Sequence, residues 1–103
     1  MTGAAEAWPQ AFATVARARQ AIESIVTRVG DAELDLDQAF AIADGDPIIG
    51  RVFALKVFEA VPGIGKVRAR RTMAAAGIDA EASIASLSAD DRRKIVDAFA
   101  QRP

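Results

Sequence analysis

Apolar residues recur at spacings of three and four along most of the chain, a period that predicts helices. The first periodic segment spans residues 11–30, and its apolar positions are Phe12, Val15, Ile22, Ile25, Val26 and Val29. Gly30 follows them and suits the left-handed residue just past a helix end. Trp8 and Pro9 precede the stripe, so residues 1–10 could form a loose N-terminus, or Trp8 could pack back on the stripe.

Start signals divide the remaining residues, 31–103, into several short helices. Asp35 and Gln38 fit a capping box, Asp46-Pro47 fits a cap followed by proline at N1, and Ser88 fits a cap of the last helix. The residues expected to face inward are Leu36, Phe40, Ala43, Ile48, Ile49, Val52, Leu55, Phe58, Val61, Ile64, Val67, Met73, Ile78, Ile95, Val96 and Phe99. The pattern predicts one all-α domain with a long N-terminal helix and a small globular bundle.

A glycine-containing turn between two of these helices carries the sharpest local signal. Residues 61–66 read Val-Pro-Gly-Ile-Gly-Lys, with Ile64 predicted to point inward between two glycines. A helix beginning near Lys66 would present free N–H groups and the positive end of its dipole, which together bind phosphate. Arg68, Arg70 and Arg71 follow on the same helix. The turn is not a Walker loop, because Val67 replaces the required Ser or Thr and no strand precedes it. A purely structural turn is the alternative.

The charge distribution favours an anionic partner for the second half of the chain. Residues 1–50 hold three basic and eight acidic side chains, a net charge of −5, whereas residues 51–103 hold ten basic and six acidic, a net charge of +4. Residues 51–71 hold six basic side chains and one acidic side chain. An ordinary solvated face would also produce such a bias, so charge alone does not define a site.

The composition excludes most catalytic and metal chemistry. The 103 residues contain neither cysteine nor histidine, which removes thiol chemistry, the commonest metal ligand and the commonest general base. A calcium loop counted from Asp31 would need glycine and glutamate where the chain has Leu36 and Ile42. No apolar run spans a bilayer, and Glu6 stands where a secretory signal would be basic. We therefore expect a cytoplasmic protein that is not an enzyme and uses no metal or cofactor.

The segment Gly50–Ala69, GRVFALKVFEAVPGIGKVRA, resembles the actinobacterial integration host factor family, which is unrelated to the heterodimeric enterobacterial protein of that name. The resemblance extends from about Arg19 to Phe99. It implies a nucleoid-associated, all-helical protein in which a long N-terminal helix joins a body built around a helix–two-turns–helix. Such proteins bind double-stranded DNA with little sequence preference and bend or compact it. The Pro-Gly-Ile-Gly hairpin is also shared with many helix-hairpin-helix proteins.

The resemblance and the charge pattern together give a set of candidate DNA contacts. The hairpin supplies the first turn, and Arg51, Arg92 and Arg93 fall at or near basic positions of the family. The full predicted set is Pro62, Gly63, Ile64, Gly65, Lys66, Arg68, Arg70, Arg71, Arg51, Lys56, Ser86, Ser88, Arg92 and Arg93. The family has an arginine-rich stretch and a Gly-Leu-Gly turn before the last helix, whereas this chain has Ser86-Leu87-Ser88. We therefore expect weaker or differently arranged DNA binding.

Three alternatives stay open at this point. The acidic residues 31–46 could contact a basic protein partner on a scaffold that has lost DNA binding. RNA binding is a second alternative, because a similar helix–two-turns–helix occurs in a ribosomal small-subunit protein. A base-excision enzyme is a third, although the chain is short for enclosing a flipped base. We expect a monomer.

Overall fold

The computed structural model describes the backbone of residues 2–101 and the side chains of residues 15–101. Within that part the chain is all-α, as predicted, and its only β pairing is an isolated antiparallel bridge between Phe53 and Ser83. The helices are α1 (Thr2–Gly30), α2 (Leu36–Gly45), α3 (Pro47–Gly50), α4 (Ala54–Phe58), α5 (Gly65–Ala75) and α6 (Ala89–Ala100), with a short 3₁₀ turn at Ile84–Ser86. No helix among the described residues is long and apolar enough to cross a bilayer.

Three phenylalanines connect the helices that form the centre of the core. Phe58 of α4 lies between Phe40 of α2 and Phe99 of α6, with ring centroids 6.1 and 5.7 Å away. Both pairs are edge-to-face, the geometry that aligns the positive edge of one ring with the negative face of the other. The side chains that are almost wholly buried around them include Val29, Val57, Met73, Ile84 and Ile95.

The long helix α1 extends well beyond this core. Its 29 residues are about 43 Å long at 1.5 Å per residue, and the whole molecule measures 60 × 25 × 23 Å. Ile25 and Val29 are buried, but Val15 is exposed, so only the last two turns of the predicted stripe pack on the body. The helix begins at Thr2, which corrects the predicted start at residue 11.

Alanine at three of residues 4–7 explains the early start of α1, since alanine has the highest helix propensity. Trp8 and Pro9 therefore fall inside the helix. The prediction that Phe12 belongs to the apolar stripe concerns a side chain outside the described ones.

Helix α1 ends in a left-handed residue, but that residue is Ala32 rather than the predicted Gly30. Ala32 has φ 60°. The N–H of Glu33 donates to the carbonyl oxygen of Arg28 at 2.8 Å, and the N–H of Ala32 donates to that of Val29 at 3.1 Å. These two bonds define a Schellman motif with Ala32 at C′. The reversal lets Leu34 enter the core, where it is buried.

Glycine at position 32 and alanine at position 30 are each expected to stabilise the protein. Ala32→Gly relieves the cost of a left-handed alanine, and Gly30→Ala raises the helix propensity at position 30. Each change is expected to raise the free energy of unfolding by about 1 kcal/mol. The new Cβ at position 30 would lie 3.5 Å from the Ala60 carbonyl oxygen, an ordinary contact. Urea unfolding of both variants measures the change in the free energy of unfolding. Gly77→Ala is the control and should destabilise the protein, because Gly77 has φ 74°. A loss of stability in Ala32→Gly would contradict the assignment.

The helix starts follow the sequence prediction closely. Asp35 accepts from the Gln38 N–H at 2.8 Å while the Gln38 side chain accepts from the Asp35 N–H at 2.9 Å, which confirms the capping box. Asp46 accepts from the first-turn N–H groups of α3, where Pro47 occupies N1. Ser88 accepts from the third N–H of α6 at 3.0 Å. These short-range contacts fix where α2, α3 and α6 begin.

Two residues predicted to face inward lie on the surface instead. Val67 is 64% exposed and Ile48 is 42% exposed. Ala69 occupies the buried face of α5, and Val67 stands two residues, or about 200°, away from it around the helix. In α3 the buried side is taken by Ile49 and Gly50, and a Cβ at Gly50 would lie 2.8 Å from the Ala43 carbonyl oxygen. The backbone at Gly50 therefore approaches the end of α2 too closely for a side chain.

Candidate nucleic-acid interface

The turn between α4 and α5 is built on two left-handed glycines. Gly63 and Gly65 have φ 80° and 69°, values that side chains with a Cβ rarely adopt. Ile64 between them is buried, and its N–H donates to the Val61 carbonyl oxygen at 3.1 Å. Pro62 is exposed at the start of the turn. The prediction that Ile64 points inward is thus confirmed. Its buried side chain attaches the centre of the turn to the core.

The N-terminus of α5 differs from those of α2, α3 and α6 because no side chain caps it. Ile64 occupies the N-cap position and makes no side-chain hydrogen bond. Among residues 2–101, the N–H groups of Gly65, Lys66 and Val67 donate to no acceptor. No heavy atom lies within 4 Å of a Cβ built at Gly63 or Gly65. The first turn of α5 therefore presents free donors and a positive dipole end to solvent, a geometry that suits a phosphate.

Exposed cations lie on α5, on α6 and in the segment before the turn. Lys66 and Arg70, four residues apart, lie on one flank of α5, whereas Arg71 lines a cleft between α5 and α6 together with Lys94. Arg51, which precedes α4, and Lys56, which lies within it, are also exposed. Lys56 also borders α1, in a depression that it shares with side chains of that helix. Of these six cations, only Lys94 forms an ion pair with a described side chain, Asp90 at 3.2 Å.

Arg68 has a structural role that the sequence did not indicate. Its guanidinium donates to the carbonyl oxygen of Ala98, at 3.1 Å, and to that of Gln101. Both carbonyls lie at the C-terminal end of α6, and that of Ala98 also accepts from the Gln101 N–H at 3.3 Å. A cation there also suits the negative end of the helix dipole. Arg68 thus connects α5 to the end of α6, and its DNA contact stays a prediction.

Arg92, a predicted DNA contact, forms a network of contacts within the protein. Its two terminal nitrogens donate to the two carboxylate oxygens of Asp44 at 2.7 Å each, and its Nε donates to the Leu87 carbonyl oxygen at 3.1 Å. The guanidinium lies 5.0 Å from the centroid of the Phe40 ring. The side chain is only 19% exposed. The guanidinium therefore links α2 to α6, and the DNA contact at Arg92 stays a prediction.

This network also shifts the ionisation of its two charged groups. The hydrogen bonds from Arg92 lower the pKa of the Asp44 carboxyl, and the same bonds raise the pKa of the Arg92 guanidinium. Arg93 next to it is exposed, but it lines a cleft of about 500 Å³ with Asp37, Asp44 and Asp97. Three carboxylates make that cleft a poor place for a phosphate.

The second turn, before α6, has a buried apolar residue at its centre, Leu87. The Ser86 hydroxyl donates to the Ser83 carbonyl oxygen at 2.7 Å, and the Ser88 hydroxyl serves as the α6 cap. Both serines predicted to contact DNA therefore have local partners.

Most carboxylates of the acidic segment 31–46 also have partners. Asp35 and Asp46 cap helices, Asp44 binds Arg92, and Glu33 lies 3.6 Å from Arg28. Among the described residues, no three acidic side chains gather closely enough to hold a metal ion.

Two surface features were missed by the sequence reasoning. Phe53 is 55% exposed, and Lys94 joins Arg71 in the cleft between α5 and α6. The sequence carried no signal for Phe53, because residues 52–54 are all apolar and their alternating burial appears only in the structure. It carried none for Lys94 either, because the position of that side chain depends on how α6 packs against α5.

The two turns and the helices around them define a helix–two-turns–helix domain. The chain belongs to the S13-like H2TH domain family, whose sequence profile matches residues 29–99. A solved structure of sIHF bound to an 8-base-pair palindromic DNA is similar, with a TM-score of 0.79 and 23% sequence identity, covering 84% of this chain and 97% of that one. This similarity shows that the two chains share a fold. A search of curated proteins finds no match.

Proposed function

We propose that this protein is an architectural DNA-binding protein of the nucleoid that holds duplex DNA by its phosphates. The observation that carries the proposal is the uncapped first turn of α5, where free N–H groups, Lys66 and Arg70 face solvent together. Donors of this kind position a duplex and carry no sequence information. Little sequence preference follows from that chemistry.

The comparisons support the same proposal. The fold is shared with sIHF, which was solved bound to DNA. The segment 50–69 resembles the actinobacterial integration host factor family in the residues that form the hairpin. We assign the protein to that family as a divergent member, because the second turn carries serines in place of glycines and lacks arginines.

The proposed contacts are narrower than the set predicted from sequence. We keep the turn Pro62–Lys66 and four exposed cations, Arg51, Lys56, Arg70 and Arg71. Arg68 and Arg92 have internal partners, Arg93 lies among carboxylates, and the hydroxyls of Ser86 and Ser88 are used locally. A surface with these cations is expected to neutralise about four phosphates.

Binding to unrelated duplexes is expected to be similar in strength and strongly salt-dependent. With about four phosphates neutralised, log K falls against log salt with a slope of roughly −3.6, or about 150-fold between 50 and 200 mM. Fluorescence anisotropy on several 20-base-pair duplexes measures both properties, with stem-loop RNA as competitor. A single strongly preferred sequence, or displacement by RNA at lower concentration than by duplex, would contradict the proposal.

The alternative of a protein-interaction module has less support. It relies on the acidic segment 31–46, where four of six carboxylates have internal partners and Asp31 and Asp37 are left exposed. A partner captured from lysate at high salt, and equally by Lys66→Glu, would favour this alternative over DNA binding.

A further inference from the structure

Phe53 is a phenylalanine held outward by its backbone. Its neighbours Val52 and Ala54 are both buried, so the extended segment turns Phe53 to the other side. Two hydrogen bonds hold this segment against the chain before the second turn: the Ala54 N–H donates to the Ala82 carbonyl oxygen at 2.9 Å, and the Ile84 N–H donates to that of Val52 at 2.8 Å. The ring therefore stands on a rigid support, unlike a side chain on a loose loop.

The surroundings of Phe53 are cationic. Arg51 lies two residues before it and Lys56 three residues after it, and both are exposed without an ion pair among the described side chains. Phe53 occupies the N-cap position of α4, and the hairpin follows the other end of that helix. The five residues of α4 rise only about 7.5 Å along the helix axis, so Phe53 and the hairpin are joined by a short helix.

We propose that Phe53 is an apolar wedge that enters a groove of the bound duplex, partly unstacks one base step and thereby bends the DNA. Apolar side chains inserted between base steps are a general means of kinking a duplex. Arg51 and Lys56 hold phosphates on either side of the inserted ring, which a protein partner with an apolar pocket would not require. This inference rests on the proposed DNA binding.

The test uses short duplexes that each carry one 2-aminopurine, whose fluorescence rises when it is unstacked. Wild-type protein is expected to raise the signal at one or two positions. Phe53→Ala abolishes the rise and weakens binding about tenfold, whereas Phe53→Leu keeps both because leucine also serves as a wedge. Ile48→Ala, which truncates another exposed apolar residue, is the matched control and leaves both unchanged. Thermal unfolding verifies that each variant is folded.

The salt dependence separates a wedge from a phosphate contact. Phe53→Ala is expected to keep the slope of log K against log salt, because no phosphate contact is lost. The inference is overturned if Phe53→Ala unstacks the probe as wild type does. It is also overturned if the slope of log K against log salt becomes less steep by about one unit. In both cases the proposed DNA binding stands. Wild-type protein without salt-dependent duplex binding contradicts the proposed function itself, and the inference falls with it.

Discussion

Gly65→Asp is expected to weaken duplex binding about 100-fold while the protein stays folded. The carboxylate would stand at the first turn of α5, where it competes with phosphate for the free N–H groups and repels it. Hydrogen bonds to charged groups contribute about 1.5–3 kcal/mol, which corresponds to a tenfold to more than 100-fold change in affinity. A Cβ at this position meets no atom within 4 Å, and aspartate tolerates left-handed φ better than most residues.

Gly65→Asn is the matched control, since it has the same size and the same tolerance of left-handed φ but carries no charge. It should lose far less affinity than Gly65→Asp in the same anisotropy titration. Lys66→Glu and Arg93→Glu form a second pair with the same change of charge on exposed residues. Only Lys66→Glu should weaken binding strongly and equally for all sequences. Equal losses in Lys66→Glu and Arg93→Glu would show that overall charge, rather than the hairpin, determines affinity. Equal losses in Gly65→Asp and Gly65→Asn would show that the negative charge of the aspartate does not act on the phosphate site.

Arg92→Ala is expected to destabilise the protein by about 2 kcal/mol, which lowers the Tm by roughly 8–16 °C at this chain length. The change removes a two-pronged contact to Asp44, a hydrogen bond to the Leu87 carbonyl and the contact with the Phe40 ring. Arg92→Lys keeps the charge but cannot form the planar pair, so it should lose most of this stability. A lysine variant as stable as wild type would show that the charge alone matters.

The pH dependence of the free energy of unfolding tests the contact between Arg92 and Asp44 independently. Arg92 lowers the pKa of Asp44 in the folded protein, so the stabilisation is present above the unfolded aspartate pKa of about 3.9. It is lost as the pH falls through the lower, folded pKa. Urea unfolding between pH 2 and 6 should therefore show a smaller acid-dependent loss in Asp44→Asn than in wild type. Identical pH profiles would contradict the pairing.

Duplex affinity of Arg92→Ala, measured at a temperature where it is fully folded, should match wild type. This readout separates a stabilising residue from a DNA contact. A large loss of affinity in the folded variant would restore Arg92 to the interface.

The features that sequence reasoning predicted correctly depend on residues close together in the chain. The capping box at Asp35, the cap at Asp46 and the anchor Ile64 each rest on contacts spanning three residues or fewer. The helical period also placed Phe40, Phe58 and Met73 in the core. Local spacing was sufficient because capping bonds and turn geometry are short-range.

The features that it missed depend on contacts between distant residues. Arg92 lies 48 residues from Asp44, and Arg68 lies 30 residues from Ala98, so nothing in the local pattern distinguishes them from solvated arginines. Val67 and Ile48 fit an apolar period, but the packing of Ala69 and Gly50 turned the buried side of each helix away from them. Sequence reasoning missed the internal partners of Arg68 and Arg92 for the same reason: a guanidinium can donate to protein carbonyls and carboxylates as well as to phosphates.

The most direct test of the central claim is the amide ¹H–¹⁵N spectrum of the protein titrated with a short duplex. If the first turn of α5 donates to phosphate, the amide protons of Gly65, Lys66 and Val67 move downfield more than any others. High salt should reverse these shifts, and Gly65→Asp should lack them. If the largest shifts instead lie in the cleft that contains Arg93 and Asp97, while Gly65–Val67 are unaffected, the account of a hairpin phosphate site is wrong.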